Sequence, residues 1–334
     1  MTNSPHHPAV IALCPGQGAQ AVGMGLAWRD ASPAAAQTFA EADQAVDLSA
    51  CGAGAASLSE TCFRGPADIL NRTDASQPAL YTCGIACWRA LCETHGHMSL
   101  HSCAGLSLGE YTALHLAGAF SFLDGLRLVA TRGRLMQQAA EASKGGMVAL
   151  IGADEAQAQQ VCDEAKGSDV LVCANFNAPG QIVLSGSASA CDRAVDVASK
   201  HGLRATRLTV AGAFHSPLMA PAAEGMARAL EHVDFKPLQC DVWSNVTAKP
   251  HHRTDIGTLR KLLVDQITSP VRWSQSMQAL AAGLPAGEGR PAALEMAPGA
   301  VLKGLMRRID RSLEVKTHDQ PAQPAQPAQP APTA

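Results

Sequence analysis

Apolar residues fall along the 334-residue chain in two rhythms. Short unbroken runs predict buried strands, and runs with an apolar residue every three or four positions predict helices packed on one face. "VIALCPGQGAQ" is an apolar strand entering a tight Pro-Gly turn and then a helix. "HSCAG" (101–105) predicts a second short buried strand, while residues 76–95 and 122–142 carry helical spacing. Farther on, "GMVALIG" (146–152) and "QIVLSG" (181–186) predict strands flanking helical segments near 154–165 and 188–201. "LRATRLTV" (203–210) closes the set. Strand, helix, strands, helix, strand in so short a stretch predicts a small ferredoxin-like insert.

Composition narrows the class. The chain is 47% hydrophobic, 16% charged and 4% aromatic, the profile of an α/β enzyme with a sizeable core. A net charge of −3 gives no bulk field for nucleic acid. Its distribution is uneven. Residues 1–199 hold 10 Lys and Arg against 18 Asp and Glu, and residues 200–316 hold 16 against 10. A basic C-terminal region can draw an acidic partner, or it is ordinary solvated surface. "MTNSPHHP" lacks a basic segment followed by an apolar run, and no stretch is long and apolar enough to span a bilayer, so a cytoplasmic protein without membrane contact is expected. Eleven cysteines then read as reduced thiols. Cys83, Cys87 and Cys92, near His95 and His97, are the nearest thing to a cluster, but Leu80, Cys83, Cys87 and Leu91 share one helical stripe, so small buried core residues and no metal site are expected. The Pro-Ala-Gln repeat "DQPAQPAQPAQPAPTA" cannot build a core.

"CAGLSLGEYTAL" (103–114) sets Ser107 between two glycines at the spacing G-x-S-x-G. A serine hydroxyl is a poor nucleophile until something takes its proton and something stabilises the oxyanion it creates. A strand–serine–helix elbow supplies part of both. It holds the side chain on a sharp turn and aims the first helical amides, from Leu108 onward, at a reacting carbonyl. The other reading is an ordinary serine in a glycine-rich turn.

Candidates for the base and for substrate binding lie elsewhere. His6, His7, His251 and His252 occupy polar, Pro-flanked stretches and are expected at the surface. His215 instead precedes "SPLMAPAAEGMARALEHV", where Ser216 can cap a helix and Pro217 can open it. A histidine at a helix N-terminus stays neutral and available as a base near pH 7, or it is a satisfied core residue. Arg132 falls among Leu128, Val129, Leu135, Met136 and Ala139, with no acid three or four residues away on that face. A guanidinium there needs a distant Asp or Glu, a route to water, or an anionic substrate gripped by its planar fork.

These residues, in this order, resemble those of the malonyl-CoA:acyl carrier protein transacylases of fatty acid and polyketide synthesis, over about residues 10–311. "PGQGAQ" (15–20) is similar to the N-terminal signature and "GLSLGEY" to the serine elbow, with the family's arginine falling on Arg132. "AFHSPLM", "QITSPVRW" (266–273) and "EMAPGAVLKGL" (295–305) supply three further blocks. The resemblance implies Ser107 as acyl acceptor, His215 as its base and Arg132 as the clamp on the malonyl carboxylate. It implies an oxyanion hole from the amides of Gln17 and Leu108. Gln266 would line the site, its backbone carbonyl orienting the histidine, and "NFNAPGQ" (175–181) would bring Asn175 to the pocket wall. Leu106 stands where the family usually has histidine, which leaves substrate scope open. Phe214 is similar to the bulky residue of malonyl-selective members and should crowd an α-methyl group.

The resulting expectation is a ping-pong transfer of malonyl from malonyl-CoA to the phosphopantetheine thiol of an acidic acyl carrier protein, without cofactor, by a monomer. The expected fold is α/β, with a large α/β-hydrolase-like core on a mostly parallel sheet and a smaller ferredoxin-like α+β insert. The expected limits are a flexible N-terminus at 1–9, core at 10–143 and 211–316, insert at 144–210 and a disordered tail at 317–334. The rivals are a carrier-protein thioester hydrolase or esterase on the same elbow, and a non-catalytic docking module. A dinucleotide-binding reading of "GQGAQAVGMG" fails on spacing.

Overall fold

Five strands, all parallel, make the larger sheet. The computed structural model describes residues 9–52, 56–287 and 289–322. The expectations for His6, His7, residues 1–8 and the repeat from 323 lie outside these residues. The strands are β1 (Val10–Cys14), β2 (Leu100–Gly105), β7 (Asp241–Trp243), β8 (Ala292–Met296) and β9 (Val315–His318), in the order β7-β2-β1-β8-β9 across the sheet. Every residue of β1 is buried, as a central parallel strand covered on both faces requires. Helices Thr73–His95 and Phe122–Ala142 lie along one another, and the first of them packs against β8.

A second, antiparallel sheet comes from β3 (Gly145–Ile151), β4 (Leu171–Ala178), β5 (Gln181–Ser187) and β6 (Arg204–Arg207), in the order β4-β5-β3-β6. Helices Glu155–Lys166 and Ala188–Lys200 pack on it around Val148, Leu150, Val161, Leu184 and Ala194. Strand β4 joins the two parts. Phe176 N donates to Val271 O at 2.9 Å and Val271 N to Ala174 O at 2.8 Å.

Two boundaries move. Thr317 and His318, assigned above to the tail, belong to β9, and Trp28 Nε1 donates to His318 O at 3.0 Å. Pairing along the edge of the sheet extends the core beyond where apolar spacing ends. The helix after His215 opens with a 3-10 turn, Pro217–Met219, and becomes α-helical at Ala220. Ser216 caps that turn, accepting from Leu218 N at 3.2 Å.

Candidate active site

Strand β2 ends at Gly105 and helix Gly109–Leu116 begins four residues later, so the chain reverses direction at Ser107. The turn is tight enough to exclude side chains beside it. A Cβ on Gly105 would lie 1.9 Å from the Gly109 carbonyl, and one on Gly109 would lie 2.1 Å from Cys14 O. Ser107 takes a φ of +53° and His215 a φ of +57°; among the described residues only Ala248 joins them as a non-glycine in that region. Such conformations are costly for L-residues and persist only where the surroundings enforce them. At Ser107 the enforcement is visible. Asn245 Oδ1 accepts from Ser107 N at 2.6 Å while Asn245 Nδ2 donates to Gly105 O at 2.8 Å, bracing both sides of the elbow.

The elbow brings three reactive groups together. Ser107 Oγ is 2.8 Å from His215 Nε2 and accepts from Arg132 Nη2 at 3.1 Å. His215 Nδ1 is 2.8 Å from the backbone carbonyl of Gln266. A carbonyl only accepts, so the ring proton sits on Nδ1 and the Nε2 lone pair faces the serine hydroxyl. Burial, then the positive charge of Arg132, push the imidazole down to about 4. The ring is therefore neutral for a different main reason than the helix terminus the sequence suggested. Such a pair can take a proton from a hydroxyl at neutral pH.

Arg132 is 1% exposed and so does not reach water. Its Nη1 donates to Gln77 Oε1 at 2.8 Å and its Nη2 to Gln266 Oε1 at 2.8 Å, both neutral amide oxygens. Its Nε has no hydrogen-bond partner among the described residues, and the Tyr111 ring centroid lies 5.5 Å from Cζ. Burial pulls the affinity of the guanidinium for its proton down. No described carboxylate bonds to it directly. The fork is held in place and left without a contact anion.

Gln17, Leu106, Asn175 and Phe214 line a cavity of about 740 Å³ with Ser107, Arg132 and His215. Leu108 also lines it, and neither the Leu108 nor the Gln17 backbone N–H donates to another described residue. Phe214 and Asn175 are buried, Leu106 half-buried. Asn175 makes no hydrogen bond to the serine, histidine or arginine. His251 is a correction. It is buried, not exposed, with Nε2 2.6 Å from Glu110 Oε1. Its polar neighbours in sequence concealed a tertiary partner 141 residues away.

Sequence reasoning missed Gln77, Glu110 and Asn245. Glu110 had a signal, because it is an acid on a helix otherwise made of residues suited to burial, the same anomaly that exposed Arg132. Asn245 sits in a loop and had none. Among the described residues, no group of three or more His, Cys, Asp or Glu is placed to hold a metal.

The sequence model of the acyl transferase domain family matches residues 12–332. The chain belongs to the acyl transferase family. As an acyltransferase it is 38% identical over 309 residues to the malonyl CoA-acyl carrier protein transacylase of Salmonella typhimurium, covering 92% of this chain and 95% of that one. Its fold is similar to that of the malonyl-CoA:acyl carrier protein transacylase of Xanthomonas oryzae, with a TM-score of 0.84 and 40% identity over 94% of this chain and 96% of the other. It is equally similar, at TM-score 0.84 and 35% identity over 93% and 96% of the two chains, to a malonyl-transacylase solved in complex with a type II polyketide-synthase acyl-carrier protein. No helix of this acyltransferase, among the described residues, is long and apolar enough to cross a membrane.

Proposed function

We propose that this acyltransferase moves a malonyl group from malonyl-CoA to the phosphopantetheine thiol of an acidic acyl carrier protein through an ester on Ser107. One observation carries the reading: the serine hydroxyl lies between a neutral imidazole nitrogen at 2.8 Å and a buried, anion-free guanidinium at 3.1 Å. The imidazole supplies nucleophilicity and the guanidinium selects a donor that ends in a carboxylate. The names of the relatives supply the malonyl donor and the carrier acceptor, one of them in a type II polyketide-synthase setting.

His215 Nε2 takes the Ser107 proton as Oγ attacks the thioester carbonyl. The oxyanion meets the Gln17 and Leu108 amides, the tetrahedral species collapses, and coenzyme A leaves as a thiol with the proton from His215. The carrier thiol enters, gives its proton to His215, attacks the ester and departs as malonyl thioester, returning the proton to Ser107. One thioester replaces another, so the exchange is near balance and needs no cofactor. Leu106, Phe214 and Asn175 shape the wall around the acyl group. The strand–serine–helix elbow also supports reading the parallel sheet as a small relative of the α/β-hydrolase core.

Intact-mass measurement after incubation with malonyl-CoA and no acceptor tests this. The expected result is one lasting malonyl adduct that transfers on addition of a carrier thiol and is absent from Ser107→Ala. Continuous release of free malonate without a lasting adduct would sink transfer in favour of the hydrolase reading.

A further inference from the structure

Beneath the three reactive groups, three N–H donors converge on one buried carboxylate. Glu110 is 1% exposed. Its Oε1 accepts from His251 Nε2 at 2.6 Å, and its Oε2 accepts from Gln266 Nε2 at 2.7 Å and from Asn245 N at 3.2 Å. An ionised carboxylate only accepts, so it dictates which end of the Gln266 amide faces it. The NH2 group turns to Glu110 and to Ser107 O, 3.0 Å away, and the carbonyl oxygen is left facing Arg132 Nη2. Turned over, the amide would set its NH2 against the guanidinium and its oxygen against the carboxylate, two repulsive contacts in a dry interior.

We propose that Glu110 is a positioning residue for donor choice: it fixes the Gln266 amide, which holds the Arg132 fork where a malonyl carboxylate meets it. The inference rests on the reading of Arg132 as the clamp. His251 completes the device by holding the far oxygen of Glu110, while its Nδ1 has no partner among the described residues. The negative charge of Glu110, one amide away, also helps Arg132 keep its proton against the effect of burial. The base is held more independently. His215 rests on the backbone carbonyl of Gln266, and Gln266 N is fixed to Leu262 O at 2.9 Å. Loss of the carboxylate therefore disturbs the clamp more than the base, and choice of donor moves more than chemistry.

The test compares kcat/KM for acyl-enzyme formation from malonyl-CoA and from acetyl-CoA in the wild type, Arg132→Ala, and Glu110→Gln, Glu110→Asp and Glu110→Ala. Both donors are measured on one preparation, so their ratio is independent of the fraction folded. Glu110→Ala removes the acceptor and should lower the malonyl-to-acetyl ratio by about tenfold or more. Glu110→Asp withdraws the acceptor by one methylene and should lower it less; it carries the test if the alanine variant does not fold. Glu110→Gln should hold the ratio within about twofold, because the His251 ring can move its proton to Nδ1 and accept from the new NH2. A collapsed ratio in Arg132→Ala with an unmoved ratio in the folded alanine or aspartate variant overturns the role of Glu110 alone. An unmoved ratio in Arg132→Ala removes the clamp and this inference with it.

Discussion

The parallel-sheet part and the antiparallel insert are stabilised in different ways. In the larger part a cation, two histidines and two carboxylates are buried: Arg132, His215, His251, Glu110 and Glu295. In the insert, residues 145–207, the buried polar side chains are Asn175 and Ser185, and the rest of its core is apolar. Buried charge is costly unless every partner is supplied, so the first arrangement gives up stability for a fixed geometry. The insert keeps ordinary apolar packing and gives the site a wall. The lesson is a separation of tasks: chemistry in one layer, shape in the other.

The sharpest way to break that separation is to remove the proposed base. His215→Ala should slow acyl-enzyme formation by about 10²–10⁴-fold, measured by rapid-quench mass analysis, while the insert stays folded. The pH profile tests the cause. With the imidazole down at about 4, its base form persists above that value, and the acid limb should fall there and not near 6.5. Arg132 is one of the two causes of the lowering, so the limb should move upward in Arg132→Gln. The same sign governs stability. The unfolded chain takes up this proton first, so the contribution of His215 to stability is lost as pH falls from about 6.5 to about 4.

The converse test strikes the insert. Leu184 is fully buried in the apolar core between β5 and the two helices, whereas its neighbour Val183 lines the active-site cavity. Leu184→Ala should cost about 2–5 kcal/mol of stability by chemical denaturation. The malonyl-to-acetyl ratio of the folded enzyme should not move. A changed donor ratio would show that the insert sets the clamp as well as the wall.

What was legible in the sequence follows the same division. Ser107 and the strand before it are local features, readable from glycine spacing and an apolar run. Arg132 was readable as a charge on an apolar helix face, and the structure adds that neutral amides hold it beside the Ser107 hydroxyl. The supporting network was not readable, because its contacts cross the chain: Asn245 reaches Ser107 over 138 residues and Gln266 reaches Glu110 over 156. His251 was placed on the surface for the same reason. Strands β7 and β9, three and four residues long, are too short to show a period. Only pairing with β2 and β8 defines them.

The smallest expected effect lies at the seam between the two parts. Phe214, from the larger part, and Met147, from β3 of the insert, line the same cavity, and both are buried. On the proposed reading, the ring immediately before His215 crowds a branch on the carbon next to the thioester. Phe214→Ala opens that space without touching the imidazole, the serine or the guanidinium. The preference for malonyl-CoA over methylmalonyl-CoA should fall by about 1–3 kcal/mol, read as a ratio of kcat/KM values. If Met147→Ala lowers it as much, the wall is shared and specificity belongs to the seam. If Met147→Ala leaves it unmoved, the larger part supplies steric selection as well as chemistry, and the separation of tasks holds only for stability.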